Sequence, residues 1–204
     1  MDGFERRKEQ SKKDIRKAAW NLFGQFGVDK VSITDIAQKA GVSPATIYNN
    51  FDSKEALIRE FVTDAVEHLV KKVQDILTPK MSFDEKMTTI IRFVSEMIAS
   101  GQPTAAERVI FGGPGLQNDP EIQKIRMAAQ ERMTDLMLGL MQEGKEQGQV
   151  NPNLTNAALR IYFAVFMDAF ISPQLQQQYY HNPGLVHELG SLMMYGFGVR
   201  EERK

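Results

Sequence analysis

SITDIAQKAGVSPATIYNNFDSKEAL, residues 32–57, decides how the chain folds. Ser32 stands where a helix N-cap belongs, its side chain placed to accept from the backbone N–H near Asp35, while Asp35 suits the positive helix end. Aspartate is shorter than glutamate, so the pair reads as an imperfect capping box. The helix runs through Ile36, Ala37 and Ala40 and stops at Gly41, which tolerates a left-handed backbone. A new start follows at once, with Ser43 as N-cap and Pro44 at the first helical position, where its missing N–H is no loss. That helix holds Ala45 to Asn50 and ends near Phe51. Two short helices across the turn Gly41-Val42-Ser43 have helix-turn-helix geometry, with Ile36, Ala37, Val42 and Ile47 as its small core. Asp52-Ser53-Lys54-Glu55 opens a further helix, with Asp52 expected as its cap.

Working outward, Ile15, Ala18, Ala19, Leu22, Phe23 and Phe26 form a stripe that predicts a helix over 14–26, closed by Gly27. Downstream, Leu57, Phe61, Ala65, Leu69 and Val73 recur every four residues, continue into Ile76 and Leu77, and stop before Thr78-Pro79. Further helices are expected over 82–100, 105–111, about 119–148, about 153–172 and about 185–197. Breaks fall at Gly112-Gly113-Pro114-Gly115 and Asn151-Pro152-Asn153. There is no convincing strand and no internal repeat, so the fold class is all-α.

Composition narrows the function. The 204 residues carry a net charge of −1, which rules against a nucleic-acid packer but leaves room for a local basic patch. The absence of cysteine removes disulfides, thiolate metal sites and thiol nucleophiles, and fits a reducing cytoplasm. The charged N-terminal stretch lacks the apolar run of a signal peptide, and no apolar segment has membrane-spanning length, so a cytoplasmic protein with no membrane association is expected. Gly112–Gly115 lacks the Lys and Ser/Thr of a phosphate-binding loop. His68, His181 and His187 are too scattered for a metal site. No nucleophile–base constellation emerges, so neither an enzyme nor a cofactor is expected.

The stretch 32–57, with Ala18-Ala19-Trp20-Asn21-Leu22-Phe23 and Gly27 before it, resembles the DNA-binding signature of the TetR family of bacterial transcription regulators. The match covers roughly residues 10–60; beyond it only length and helicity agree. The resemblance implies a three-helix helix-turn-helix DNA-binding domain at 8–68 and a helical effector-binding and dimerisation domain at 69–204. The third helix would enter the major groove of a double-stranded operator. Ser43, Pro44, Ala45 and Thr46 would face the DNA. Pro44 and Ala45 offer apolar contact, and Asn49 suits an adenine edge. In the family, the tyrosine at Tyr48 and the lysine at Lys54 hold phosphates; Ser32, Thr34 and Thr46 are further phosphate donors. Arg6, Arg7, Lys8, Lys12, Lys13, Arg16 and Lys17 form the densest basic segment. By itself it reads as a solvated tail; beside the helix-turn-helix it also reads as an arm for the DNA backbone or minor groove.

The C-terminal part is rich in Met and Phe, types that suit an adaptable apolar pocket. Phe93, Met97, Phe111, Met133, Met137, Phe163, Phe166, Met167 and Phe170 are the candidate lining for a small hydrophobic effector, with Asp168 as a polar anchor; each also reads as ordinary core. The resemblance implies a homodimer through the last two helices, with Leu185, Leu189, Leu192 and Met193 as seam and Gly190 and Gly196 allowing close approach. The expected function is a repressor released from a palindromic operator by its effector. The alternative is a regulator of this fold that acts through a protein partner.

Overall fold

The computed structural model describes residues 3–78, 80–99, 118–171, 178, 181, 182 and 184–197, without the side chains of 3, 4, 97–99, 167–171, 186 and 193–197. The helix expected at 105–111, the break at Gly112–Gly115, Phe111, and the side chains of Met97, Met167, Asp168, Phe170 and Met193 therefore lie outside the described residues. The described elements are α1 (Gly3–Phe26), α2 (Ile33–Ala40), α3 (Pro44–Phe51), α4 (Lys54–Leu77), α5 (Phe83–Ala99), α6 (Pro120–Glu146), α7 (Asn156–Ile171) and α8 (Gly184–Phe197). The fold is all-α, and no strand occurs among the described residues. No described helix is long and apolar enough to cross a membrane.

The chain divides into two compact units, one from Met1–His68 and Thr104–Met127, the other from Leu69–Pro103 and Ala128–Lys204. In the first, α1, α2 and α3 pack against one another. Ile15, Ala18, Ala19 and Phe23 of α1 are buried, as are Ile33, Ile36 and Ala37 of α2 and Ile47 and Phe51 of α3. Phe61 of α4 meets Phe23 and Trp20 edge-on, each with ring centroids 5.2 Å apart, an arrangement that aromatic quadrupoles favour.

α1 begins eleven residues before the expected Asp14, so the basic segment is helix rather than tail. Residues 5–13 hold Glu, Arg, Lys and Gln, which are good helix formers, and they extend a helix already nucleated by its buried second half. In α4 the i+4 line also needs correction, because Leu69 is only half-buried. Each step of four overshoots a 3.6-residue turn, and the buried face drifts to Val62, Val66 and Val70.

The second unit closes around Phe83, Met87 and Ile90 of α5, Leu138, Leu140 and Met141 of α6, Val150, and Leu159 and Phe163 of α7. Ser82 and Glu85 form an N-terminal capping pair for α5, with Ser82 N donating to Glu85 at 2.8 Å and Glu85 N to Ser82 Oγ at 3.3 Å. Thr155 caps α7 by accepting from Ala158 N. Lys86 is buried beside the core, and its ammonium donates to both Glu143 oxygens at 3.0 and 2.7 Å, which satisfies its charge.

Gly190 of α8 is buried against α5: a Cβ placed there would lie 2.5 Å from Ile91 Cγ2. The sequence expectation puts Gly190 in the seam between two subunits. Its missing side chain instead serves packing within one chain. Gly190→Ala would gain about 1 kcal/mol of helix propensity but overpack this crossing by about 1–3 kcal/mol. The melting temperature should fall by a few degrees in calorimetry; an unchanged or raised value would show that the crossing has room to spare.

Candidate nucleic-acid interface

Three helix starts and one tight turn shape the first unit. Ser32 and Asp35 make a full reciprocal box, although the shorter aspartate suggests an imperfect one. Ser32 N donates to Asp35 Oδ2 at 2.8 Å, Asp35 N to Ser32 Oγ at 3.1 Å, and Ser32 Oγ to the same carboxylate at 2.6 Å. The Ser32 hydroxyl proton is thus engaged within the protein, while Thr34 stands exposed. The Ser32 side-chain and backbone donors hold the Asp35 carboxyl below its ordinary pKa.

Gly41 takes φ +69° and ends α2, its N–H and that of Val42 returning to Gln38 and Ala37 carbonyls. Ser43 then caps α3, accepting from Thr46 N at 3.2 Å, with Pro44 in the first turn and Thr46 Oγ1 2.9 Å from Ser43 Oγ. On α3, Ile47 and Phe51 point inward, leaving Pro44, Ala45, Tyr48 and Asn49 on an exposed face. Tyr48 is half exposed, at 50%, although an isolated tyrosine in a helix ordinarily reads as packing. Asn50 faces back, donating to Thr46 O at 2.7 Å.

The start of α4 differs from expectation. Asp52 sits at φ +56° and terminates α3, its N–H donating to Tyr48 O. Ser53 is the cap, accepting from Ala56 N at 3.0 Å. A left-handed Asp52 belongs to the end of one helix, so the next residue opens the following one. Lys54, half-buried, is then the first residue of α4, beside the N–H groups of its first turn.

Arg16, expected in the basic arm, is an internal brace. Its Nε donates to Glu60 Oε2 at 2.7 Å and its Nη2 reaches Oε1 at 3.4 Å, tying α1 to α4. The guanidinium also lies 5.5 Å from the ring centroid of Phe51, the last residue of α3. The neighbouring Arg59 donates to Asp119 Oδ2 at 2.8 Å. Asp119 also caps α6, accepting from Glu121 N at 2.9 Å and Ile122 N at 3.4 Å. Desolvation works to raise the Asp119 pKa, but Arg59 and the two N–H groups outweigh it and leave it lowered. Sequence reading misses these pairs because partners 44 and 60 residues apart carry no local pattern.

The effector candidates are placed as follows. Phe163 is buried in the core of the second unit, with Met137 and Phe166 packed against it. Phe93 is half-buried, with Lys72 Nζ 4.6 Å from its ring centroid. Met133 is half-buried and belongs to neither grouping. An open groove of about 540 Å³ lies in the first unit, lined by Leu22, Phe26, Lys30, Val31, Asp35, Gln38 and Lys39, and shares none of these residues. No cluster of metal-ligating side chains occurs among the described residues.

The depressed Asp35 pKa sets a sign. Its contribution to stability is complete above the ordinary aspartate value of about 3.9 and is lost as pH falls through its lower folded value. The denaturation midpoint should therefore fall less between pH 5 and pH 3 in Asp35→Asn than in wild type. Parallel pH curves would show that the box adds nothing.

Comparison with known proteins adds an independent line. Residues 15–61 match the family described as bacterial regulatory proteins, tetR family. The chain is 30% identical over 154 residues to the uncharacterized HTH-type transcriptional regulator YdeS of Bacillus subtilis, covering 72% of this chain and 71% of that protein. It is 26% identical over 143 residues to the transcriptional repressor KstR2 of Mycolicibacterium smegmatis, covering 69% and 68%. The Bacillus subtilis regulator FadR, solved in complex with stearoyl-CoA, shares the fold at a TM-score of 0.65 and 19% identity, over 90% of this chain and 97% of that one. With a capped helix-turn-helix inside the matched segment and likeness extending over most of the chain, this protein belongs to the TetR family of transcription regulators.

Proposed function

We propose that the chain is a homodimeric repressor that holds a roughly palindromic operator through α3 and leaves it when a small apolar or amphipathic molecule binds the second unit. The exposed face of α3 carries this reading. Pro44, Ala45, Tyr48 and Asn49 stand outward on a helix whose opposite side is anchored by Ile47 and Phe51. On that face Asn49 reads a base edge, Pro44 and Ala45 meet thymine methyls and Tyr48 holds a phosphate, with Ser43 and Thr46 adding polar contacts, while Lys54 of α4 holds a phosphate and Thr34 of α2 adds a further polar contact. Ser32, its own hydroxyl engaged with Asp35, contributes by fixing the start of α2 beside the interface.

The candidate effector wall is Phe93, Met133, Met137, Phe163 and Phe166, where methionine and phenylalanine adapt to an apolar guest. The FadR resemblance supports this class of effector, FadR having been solved with stearoyl-CoA. Dimerisation is supported by large apolar side chains left exposed on α7 and α8: Ile161 at 68%, Val165 at 64% and Leu192 at 66%. Leu185 and Leu189, half-buried, flank that seam. The ligand acts by favouring a conformation in which the two recognition helices no longer match successive major grooves. Arg59 and Glu60 make α4 the carrier, since consecutive residues hold Asp119 at the start of α6 and Arg16 beneath α3.

Fluorescence anisotropy against the chain's own upstream DNA and a scrambled duplex, across a salt series, tests the reading. Asn49→Ala should weaken the preferred site by about 1–3 kcal/mol while sparing scrambled DNA. Lys54→Gln should weaken both and lower the salt slope by about 0.9. If the wild type prefers neither its upstream DNA nor any sequence selected from a random pool, the DNA-reading assignment fails and a protein partner takes its place. For the seam, Val165→Asp with Leu192→Asp should sediment as a monomer where wild type sediments as a dimer. A wild-type monomer at micromolar concentration would refute the dimer.

A further inference from the structure

We propose that the outer face of α1 is a second DNA-contact surface, holding phosphates of the duplex beyond the segment that α3 reads. The inference rests on the DNA-binding reading above and extends its footprint. Arg6, Lys13 and Lys17 are spaced seven and four apart, which puts them on one line of the helix, with Gln10 and Asn21 on the same line. All five are exposed. Residues 5–17 hold seven basic side chains against three acidic ones, in a chain whose net charge is −1. Of the three acids, Asp14 accepts from Gln10 of this same line at 3.0 Å, and Glu9 adds to the field of Glu60 and Asp64 around Arg16. With Arg16 itself bound to Glu60, Arg6, Lys13 and Lys17 are the cations that α1 lines up on one exposed face.

The shape of α1 supports the same partner. Lys8 lies on the line of Ile15 and Ala19, which are buried, yet Lys8 is exposed. The covered face has therefore run out by residue 8, and the first turns of α1 overhang the packed helices. From Lys8 back to Gly3 this overhang reaches about 8 Å at 1.5 Å per residue, and DNA carries a charge about every 1.7 Å of its axis. Cations aligned four apart repel one another on a free helix, and phosphates relieve that repulsion. Because the segment is already helical, contact requires no ordering of a tail. Such contacts are blind to sequence, so they raise affinity for every duplex alike.

The test compares wild type with the full-length triple variant Arg6→Gln, Lys13→Gln, Lys17→Gln on a duplex selected from random sequence and on a scrambled one. The slope of log affinity against log salt should fall by about 2–3, near 0.9 for each phosphate that no longer meets a cation. The ratio of selected to scrambled affinity should stay the same. Arg6→Lys, Lys13→Arg, Lys17→Arg should keep the wild-type slope, and all three proteins should melt together, which excludes a folding defect. An unchanged slope in the glutamine variant, with wild type still preferring its selected duplex, overturns this inference alone. A wild type with no preference at all overturns the DNA-reading assignment along with it.

Discussion

An eight-residue helix has too few hydrogen bonds to hold itself together in water, and α3 is eight residues long. It persists because Ile47 and Phe51 are buried, the first completely and the second with 4% exposed. α2 supplies the adjoining wall and is itself only eight residues, fixed at its start by the Ser32–Asp35 box and at its end by Gly41. α1 also packs against α3, with its Ile15, Ala19 and Phe23 buried, and its Arg16 lies over the Phe51 ring while bound to Glu60. The exposed face of α3 thus depends on two apolar side chains whose surroundings come from two other helices.

Much of this is legible in the sequence because it is local. A cap, a first-turn proline and a left-handed glycine each act within four residues, and Ser32, Gly41, Ser43 and Pro44 do what their positions imply. Sequence and structure part where two local explanations compete or where partners are distant. Asp52 and Ser53 are both good caps; which one opens α4 depends on Asp52 taking a left-handed backbone to finish α3. Apolar periodicity begins only at Ile15 and so places the start of α1 too late, whereas a charged extension with good propensity can propagate from an existing helix without it. Arg16 looks like one more cation in a basic run, and only the fold brings Glu60 to it.

The second unit is legible as helix but not as arrangement. Its apolar residues satisfy both a packed core and a pocket wall, and sequence alone does not separate the two. Phe163 at 3% exposure is core in this structure, while Met137 and Phe166 lie at its margin. Gly190 shows the same ambiguity for surfaces: a small residue signals that something comes close, and the neighbour is Ile91 of the same chain.

The division of labour on α3 has an evolutionary consequence. The side chains that fix the helix, Ser43, Ile47 and Phe51, are distinct from those on its outer face, Pro44, Ala45, Tyr48 and Asn49. Exposed substitutions away from caps and cores usually change stability little. Positions 45 and 49 can therefore drift to other side chains while the framework stays intact. Gene duplication followed by such drift would give paralogues with the same scaffold and different outer faces on α3, each reachable through folded intermediates.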